Sequence, residues 1–172
     1  MGTLLLTGIA SAEGEFIVTE NNGSLSGLGY ARSHDFPVTA DIFNVEVSAV
    51  DTLGNRSVQV KIPVNDLDTG NAARTKHMQI SVLDRKNFPY IIFTSQFTLL
   101  QLGPGEVRMP GMLELNGLSN PHEIVVTLAP EGDQYRATGT FQVKLSDYDL
   151  PRVGMGPMKL LDKVDLNLDV RF

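Results

Sequence analysis

Asp68-Thr69-Gly70 is the first stretch whose residue types suit catalysis. The same triplet carries the active carboxylate of aspartic proteases, where two carboxylates share one proton. This chain of 172 residues holds one copy, so that chemistry would require two chains. The flanks point elsewhere. Polar Asn65-Asp66 precedes the triplet in place of a hydrophobic strand, and Asn71 follows, a residue that caps helices. The plainer reading is a turn, because Gly tolerates positive φ and Asp and Asn bond their own backbone.

The histidines are His34, His77 and His122. None is spaced i, i+2 or i, i+4 from another, and cysteine is absent, so the sequence supplies no metal-ligand pattern, no thiolate chemistry and no disulfide framework. There is no Gly-x-Ser-x-Gly nucleophile elbow and no glycine-rich phosphate loop, and no cofactor is implied. Arg74, Lys76, Arg85 and Lys86 cluster. Such charges commonly solvate a helix face; the functional alternative is a cationic rim that meets a carboxylate or phosphate head group. Arg74 is the first candidate for that role, with His77 and His34 beside it.

The elements that position these residues are mostly strands. Residues 42–50 alternate, with Phe43, Val45 and Val47 on one face, and residues 56–64 place Val58, Val60, Ile62 and Val64 on one face. Glycines 27 and 29 within a strand-like stretch predict a bend or a close backbone approach. His34-Asp35-Phe36-Pro37 reads as an interruption. Asn71 opens a short helix over 71–83, with Ala73, His77 and Ile80 at helical spacing and Met78 and Val82 beside them. Asn87-Phe88-Pro89 ends it, and residues 90–95 form a strongly β-prone run. Residues 107–118 read as one strand with a bend at Pro110-Gly111, and Ser119-Asn120-Pro121 as the next turn. Strands over 122–129 and 135–145 follow. Residues 164–172 close the chain with Val164, Leu166 and Leu168 inward and Lys163 and Asp165 outward.

This pattern predicts an all-β, antiparallel barrel of about eight strands with one short helix, wet outside and packed inside. Phe43, Phe93, Phe97, Met109, Leu113 and Phe141 share inward parity, with Met78 added from the helix. A filled core and a tunnel for an acyl or prenyl chain would use the same residues, so the sequence leaves both open.

The order of features in residues 65–95 resembles the YceI-like family: a D-T-G-N turn at Asp68–Asn71, Arg74, the His77-Met78 pair, Phe88-Pro89 and a strand through Phe93. The resemblance extends to residues 111–119 and 141–148 and so covers most of the chain from Phe16. Departures are Thr75, where the family usually has an acid, Val82-Leu83, where it has aromatics, and Asn116, where it has His. They mark a divergent branch. The resemblance implies a lipocalin-like barrel that binds isoprenoid or other long-chain lipids, mostly in the bacterial periplasm, without enzymatic activity.

Composition sets the remaining bounds. One domain is expected, with 42% hydrophobic and 20% charged residues. A net charge of −6 with no basic run argues against nucleic acid as a partner. Residues 1–12 read either as the tail of a signal peptide, with Ala10-Ser11-Ala12 as a small-x-small cleavage site, or as a first edge strand; 13–172 is then the barrel domain. A homodimer is compatible with the pattern. Two other classes compete with the carrier. One is a structural barrel that binds a protein partner. The other is a small outer-membrane barrel, disfavoured by the absence of Trp for interfacial girdles.

Overall fold

The computed structural model describes residues 16–19, 23–41, 44–48, 53–98 and 104–171, and the side chains of 23–41, 44–47, 53–96 and 104–171. The expectations for residues 1–12 and for Phe43 lie outside these residues. Phe97 is described only in its backbone, paired with Arg56.

Ten strands form one antiparallel sheet: β1 (Phe16–Thr19), β2 (Gly23–Ala31), β3 (Asp35–Ala40), β4 (Asn44–Ser48), β5 (Asn55–Pro63), β6 (Tyr90–Thr98), β7 (Gly105–Leu115), β8 (Leu118–Glu131), β9 (Gln134–Val143) and β10 (Leu160–Arg171). Their order across the sheet is β1-β4-β5-β6-β7-β8-β9-β10-β2-β3. The sheet curls into a half-barrel around an apolar interior. The period-2 reading holds: Val45, Val47, Val58, Val60 and Ile62 are buried, whereas Gln59 and Lys61 are not. An outer-membrane barrel requires the reverse, an apolar outside.

The connection between β5 and β6 crosses to the other end of the sheet. Val64 and Leu67, 1% and 3% exposed, anchor it in the core. Reciprocal backbone bonds join Asp68 to Thr39 of β3, at 2.9 and 2.8 Å. Helix α1 (Ala72–His77) follows, capped by Asn71, whose Oδ1 accepts from the Arg74 amide at 3.0 Å. It runs into a wider π-type turn over Met78–Val82. That widening rotates the helical stripe. Ala73, His77 and Ile80 are exposed, while Gln79, Val82 and Leu83 are buried. Gln79 Nε2 donates to the Asn65 and Leu67 carbonyls, tying the turn to the chain that leads into it.

Three expectations are corrected. Residues 35–40 form β3, with Phe36 and Val38 buried, where an interruption was expected. Pro37 is tolerated because its strand pairs only with β2 there, so its missing N–H leaves no ladder bond unmade. The turn after β7 falls at Asn116-Gly117, not at Ser119–Pro121. Both residues have positive φ (54° and 74°), and Leu115 pairs with Leu118, the two-residue geometry that Asn-Gly favours. Finally, β10 begins at Leu160, and its register against β2 shifts before Val164.

Candidate ligand-binding site

The inward faces of the strands do not meet across the half-barrel. They enclose a cavity of about 600 Å³, within the range of small-molecule sites. Its wall is aliphatic and aromatic, including Val38, Val60, Phe93, Leu113, Ile124 and Phe141. A second cavity of about 40 Å³ lies beyond Val60, Phe93, Ile124 and Leu168, which line both. Those four side chains are the partition between them.

The polar lining residues gather where the cavity opens. His34, Asn71, His77, Gly154, Met158 and Leu161 line it and are exposed, which marks the mouth. Arg74 also lines it. Its guanidinium carbon stands 4.8 Å from the Phe36 ring centroid, a cation–π distance. One terminal nitrogen donates to the Thr69 carbonyl at 2.5 Å, and Nε is buried without a hydrogen-bond partner. Lys163 and Tyr30 line the cavity too, with Lys163 Nζ 4.3 Å from the Tyr30 ring centroid. The Tyr30 hydroxyl donates to Asp165 at 2.5 Å. That bond is the main reason the Tyr30 phenol is pushed above its ordinary value and the Asp165 carboxyl is held below its own.

The turn that holds Arg74 is built on Asp68. Its Oδ1 accepts from the amides of Thr69 (2.7 Å) and Gly70 (3.1 Å) and from the Thr75 hydroxyl (2.7 Å). These bonds, the Thr75 hydroxyl first, hold the Asp68 carboxyl below the usual carboxylate range. The carboxylate fixes backbone, as the turn reading requires.

Of the residues singled out in the sequence, Phe93, Leu113, Phe141, Met78, Arg74, His77 and His34 line the main cavity. Met109 lines the smaller one instead. Sequence reasoning missed Lys163, which alternation assigns to the outside. The register shift in β10 breaks the alternation and brings Lys163 to the mouth. It also passed over Tyr30 and the loop at Val153–Met158. His122 does not join the other histidines. It packs edge-on against Phe141, with centroids 5.6 Å apart, and burial holds its imidazolium below the ordinary range. Among the described residues no group of three acids or histidines is placed to hold a metal.

A curled antiparallel half-barrel, an apolar hollow and a polar mouth define a class: a barrel built around a hydrophobic cavity. Within that class the chain belongs to the YceI-like family, whose domain model matches residues 19–172. It is 29% identical over 154 residues to a UPF0312 protein of Shewanella denitrificans, covering 83% of this chain and 76% of the relative. It is 31% identical over 109 residues to protein YceI of Salmonella arizonae, covering 58% and 54%. Among solved structures, it resembles a polyisoprenoid-binding domain from Saccharophagus degradans, implicated in plant cell wall breakdown, with a TM-score of 0.76 at 14% identity over 91% of this chain and 98% of that one. Burkholderia cenocepacia BcnA gives a TM-score of 0.70 at 19% identity, covering 87% and 96%. At these identities the two structures share the fold with this chain.

Proposed function

We propose that this chain is a non-enzymatic binding protein that takes up a long apolar ligand, isoprenoid-like, quinone-like or fatty-acid-like, and carries or stores it in the periplasm or outside the cell. The observation that carries this reading is the cavity of about 600 Å³ with an apolar wall and a polar mouth. Each methylene moved from water into such a wall gains about 0.8 kcal/mol. A long chain therefore supplies most of the affinity, and the polar end sets its direction. Phe93, Leu113, Phe141 and Met78 contact the chain. Arg74, with an unsatisfied buried Nε, receives the polar end together with His77 and His34. The polyisoprenoid-binding description of the Saccharophagus degradans domain supports the ligand class.

Native mass spectrometry of the purified protein, followed by lipid extraction, tests the reading. A stoichiometric co-purified lipid or quinone is expected. An apo mass that stays unchanged after incubation with isoprenoids and fatty acids rejects it. Cell fractionation checks the compartment, with the protein expected outside the cytoplasm.

A further inference from the structure

The loop between Asp149 and Leu160 carries two of the three most exposed large apolar side chains among the described residues, the third being Leu53. Met155 is 86% exposed and Met158 58%, and neighbouring Leu161 is 38% exposed. The loop is held firmly. The Leu160 amide donates to the Val153 carbonyl at 3.0 Å, closing 154–159 into a ring, and the Met158 amide donates to the Met155 carbonyl at 3.0 Å. Gly154 has φ +99°, and a Cβ there would fall 2.3 Å from the Met158 carbonyl oxygen, so the tight turn needs glycine. The Arg32 amide donates to the Lys159 carbonyl, docking the ring on the β2–β3 turn.

The sequence of this tip is Arg152-Val-Gly-Met-Gly-Pro-Met-Lys159. Six uncharged residues are bracketed by two cations. Both cations are exposed, and neither makes an ion pair among the described residues. Lys163, which also lines the mouth, is paired with the Asp165 carboxylate at 3.7 Å. Two nearby acids are tied into the fold: Asp162 accepts from the Ser146 amide and hydroxyl, and Asp165 from Tyr30 and Gln142. An acidic protein thus presents an apolar tip bracketed by two exposed cations. Val153, Gly154 and Met158 of that tip also line the cavity.

We propose that this loop docks the cavity mouth onto a bilayer containing anionic lipids. Met155 and Met158 enter the acyl boundary, and Arg152 and Lys159 reach the phosphates at its base. Methionine suits the role because it is unbranched, polarizable and adapts to an irregular apolar phase. Cations flanking an apolar face are the general recipe for interfacial binding. The proposal rests on the reading of the cavity as an apolar-ligand site. Against a bilayer, a chain leaving past Met158 passes from one apolar phase to another. From an undocked mouth it would cross water and forfeit its burial gain.

Vesicle sedimentation tests this, using phosphatidylcholine alone and phosphatidylcholine mixed with phosphatidylglycerol. The parent chain is expected to bind the mixed vesicles more tightly, since each cation near an anionic surface is worth about five-fold in partition. Met155→Asp should lower binding at least ~ten-fold, and the Arg152→Gln/Lys159→Gln pair by roughly ten- to thirty-fold. None of these three residues lines the cavity. All variants should therefore retain the parent's affinity for a fluorescent fatty acid in vesicle-free buffer, which also reports that they are folded. Docking is overturned if the parent ignores anionic vesicles or if the variants bind them as the parent does. If vesicle binding depends on Met155 while the cavity takes up no fatty acid or isoprenoid probe, docking stands and the ligand reading fails.

Discussion

His122 shows how a single residue couples the wall of the half-barrel to pH. It shares the inward parity of β8 with Ile124 and Val126, and its Nε2 is buried without a partner. Burial disfavours the imidazolium, and the nearby Asp147 only partly opposes that. The unfolded chain therefore takes up the proton more readily than the folded one. The stability that neutral His122 supplies is fully present above about pH 6.5, the ordinary histidine value. It is lost as pH falls from there toward the depressed folded value. Denaturant unfolding at pH 7.5 and 5.5 should show the parent losing stability across that interval and His122→Phe losing less; equal losses would remove His122 from the account. Gly117 makes a second prediction at this scale. Its φ is +74°, and a Cβ would fall 2.4 Å from the Phe88 ring. Gly117→Ala should cost about 1–3 kcal/mol, read as a lower unfolding midpoint.

At the scale of elements, prolines show why the strands were hard to delimit. Pro37 and Pro121 sit inside strands where the sequence reads as a break, and Pro110 inside one where it reads as a bend. Each lies where one side of its strand is unpaired. β3 pairs only with β2, the β6–β7 ladder stops at Gly111, and the β8–β9 ladder stops at Val125. Where β8 and β9 part, the 3-10 turn Leu145–Tyr148 takes over. Asn116 Nδ2 donates to the Tyr148 carbonyl at 3.2 Å and Asn120 Nδ2 to that of Asp147. Tyr148 is 2% exposed. Tyr148→Ala should therefore destabilise by roughly 3–5 kcal/mol and loosen this seam, visible as faster amide exchange in β8 between Leu118 and Ile124. Protection unchanged in that stretch would contradict the seam. The helix, by contrast, was legible in advance, because Asn71 announces its cap. Its buried face was not, because the π-type turn at Met78–Val82 displaces the stripe.

For the whole molecule, the partition between the two cavities sets how long a chain fits. Phe93, 7% exposed, stands between the main cavity and the smaller one that Met109 lines. Phe93→Ala should join them. The expected result is a preference shifted toward longer chains, measured by competition among fatty acids of graded length. A loss of about 3–5 kcal/mol in stability should accompany it. An unchanged length preference in a folded variant would show that the smaller cavity is no part of the site.

The sequence by itself determined the all-β class, the inward face of most strands, the Asp68–Asn71 turn with its cap, and the family. These are local: period-2 alternation and turn chemistry are written in consecutive residues. It did not separate a filled core from a hollow one, because inward apolar residues look the same in both. Only the curvature of the sheet decides whether side chains from facing strands meet, and here they leave about 600 Å³ open. The tertiary structure likewise decided which polar residues share the mouth. Arg74 and Lys163 come from distant parts of the chain, one carried across to β3 by the Asp68 bridge, the other turned in by a register shift in β10. Neither event leaves a mark in the alternation on either side of it.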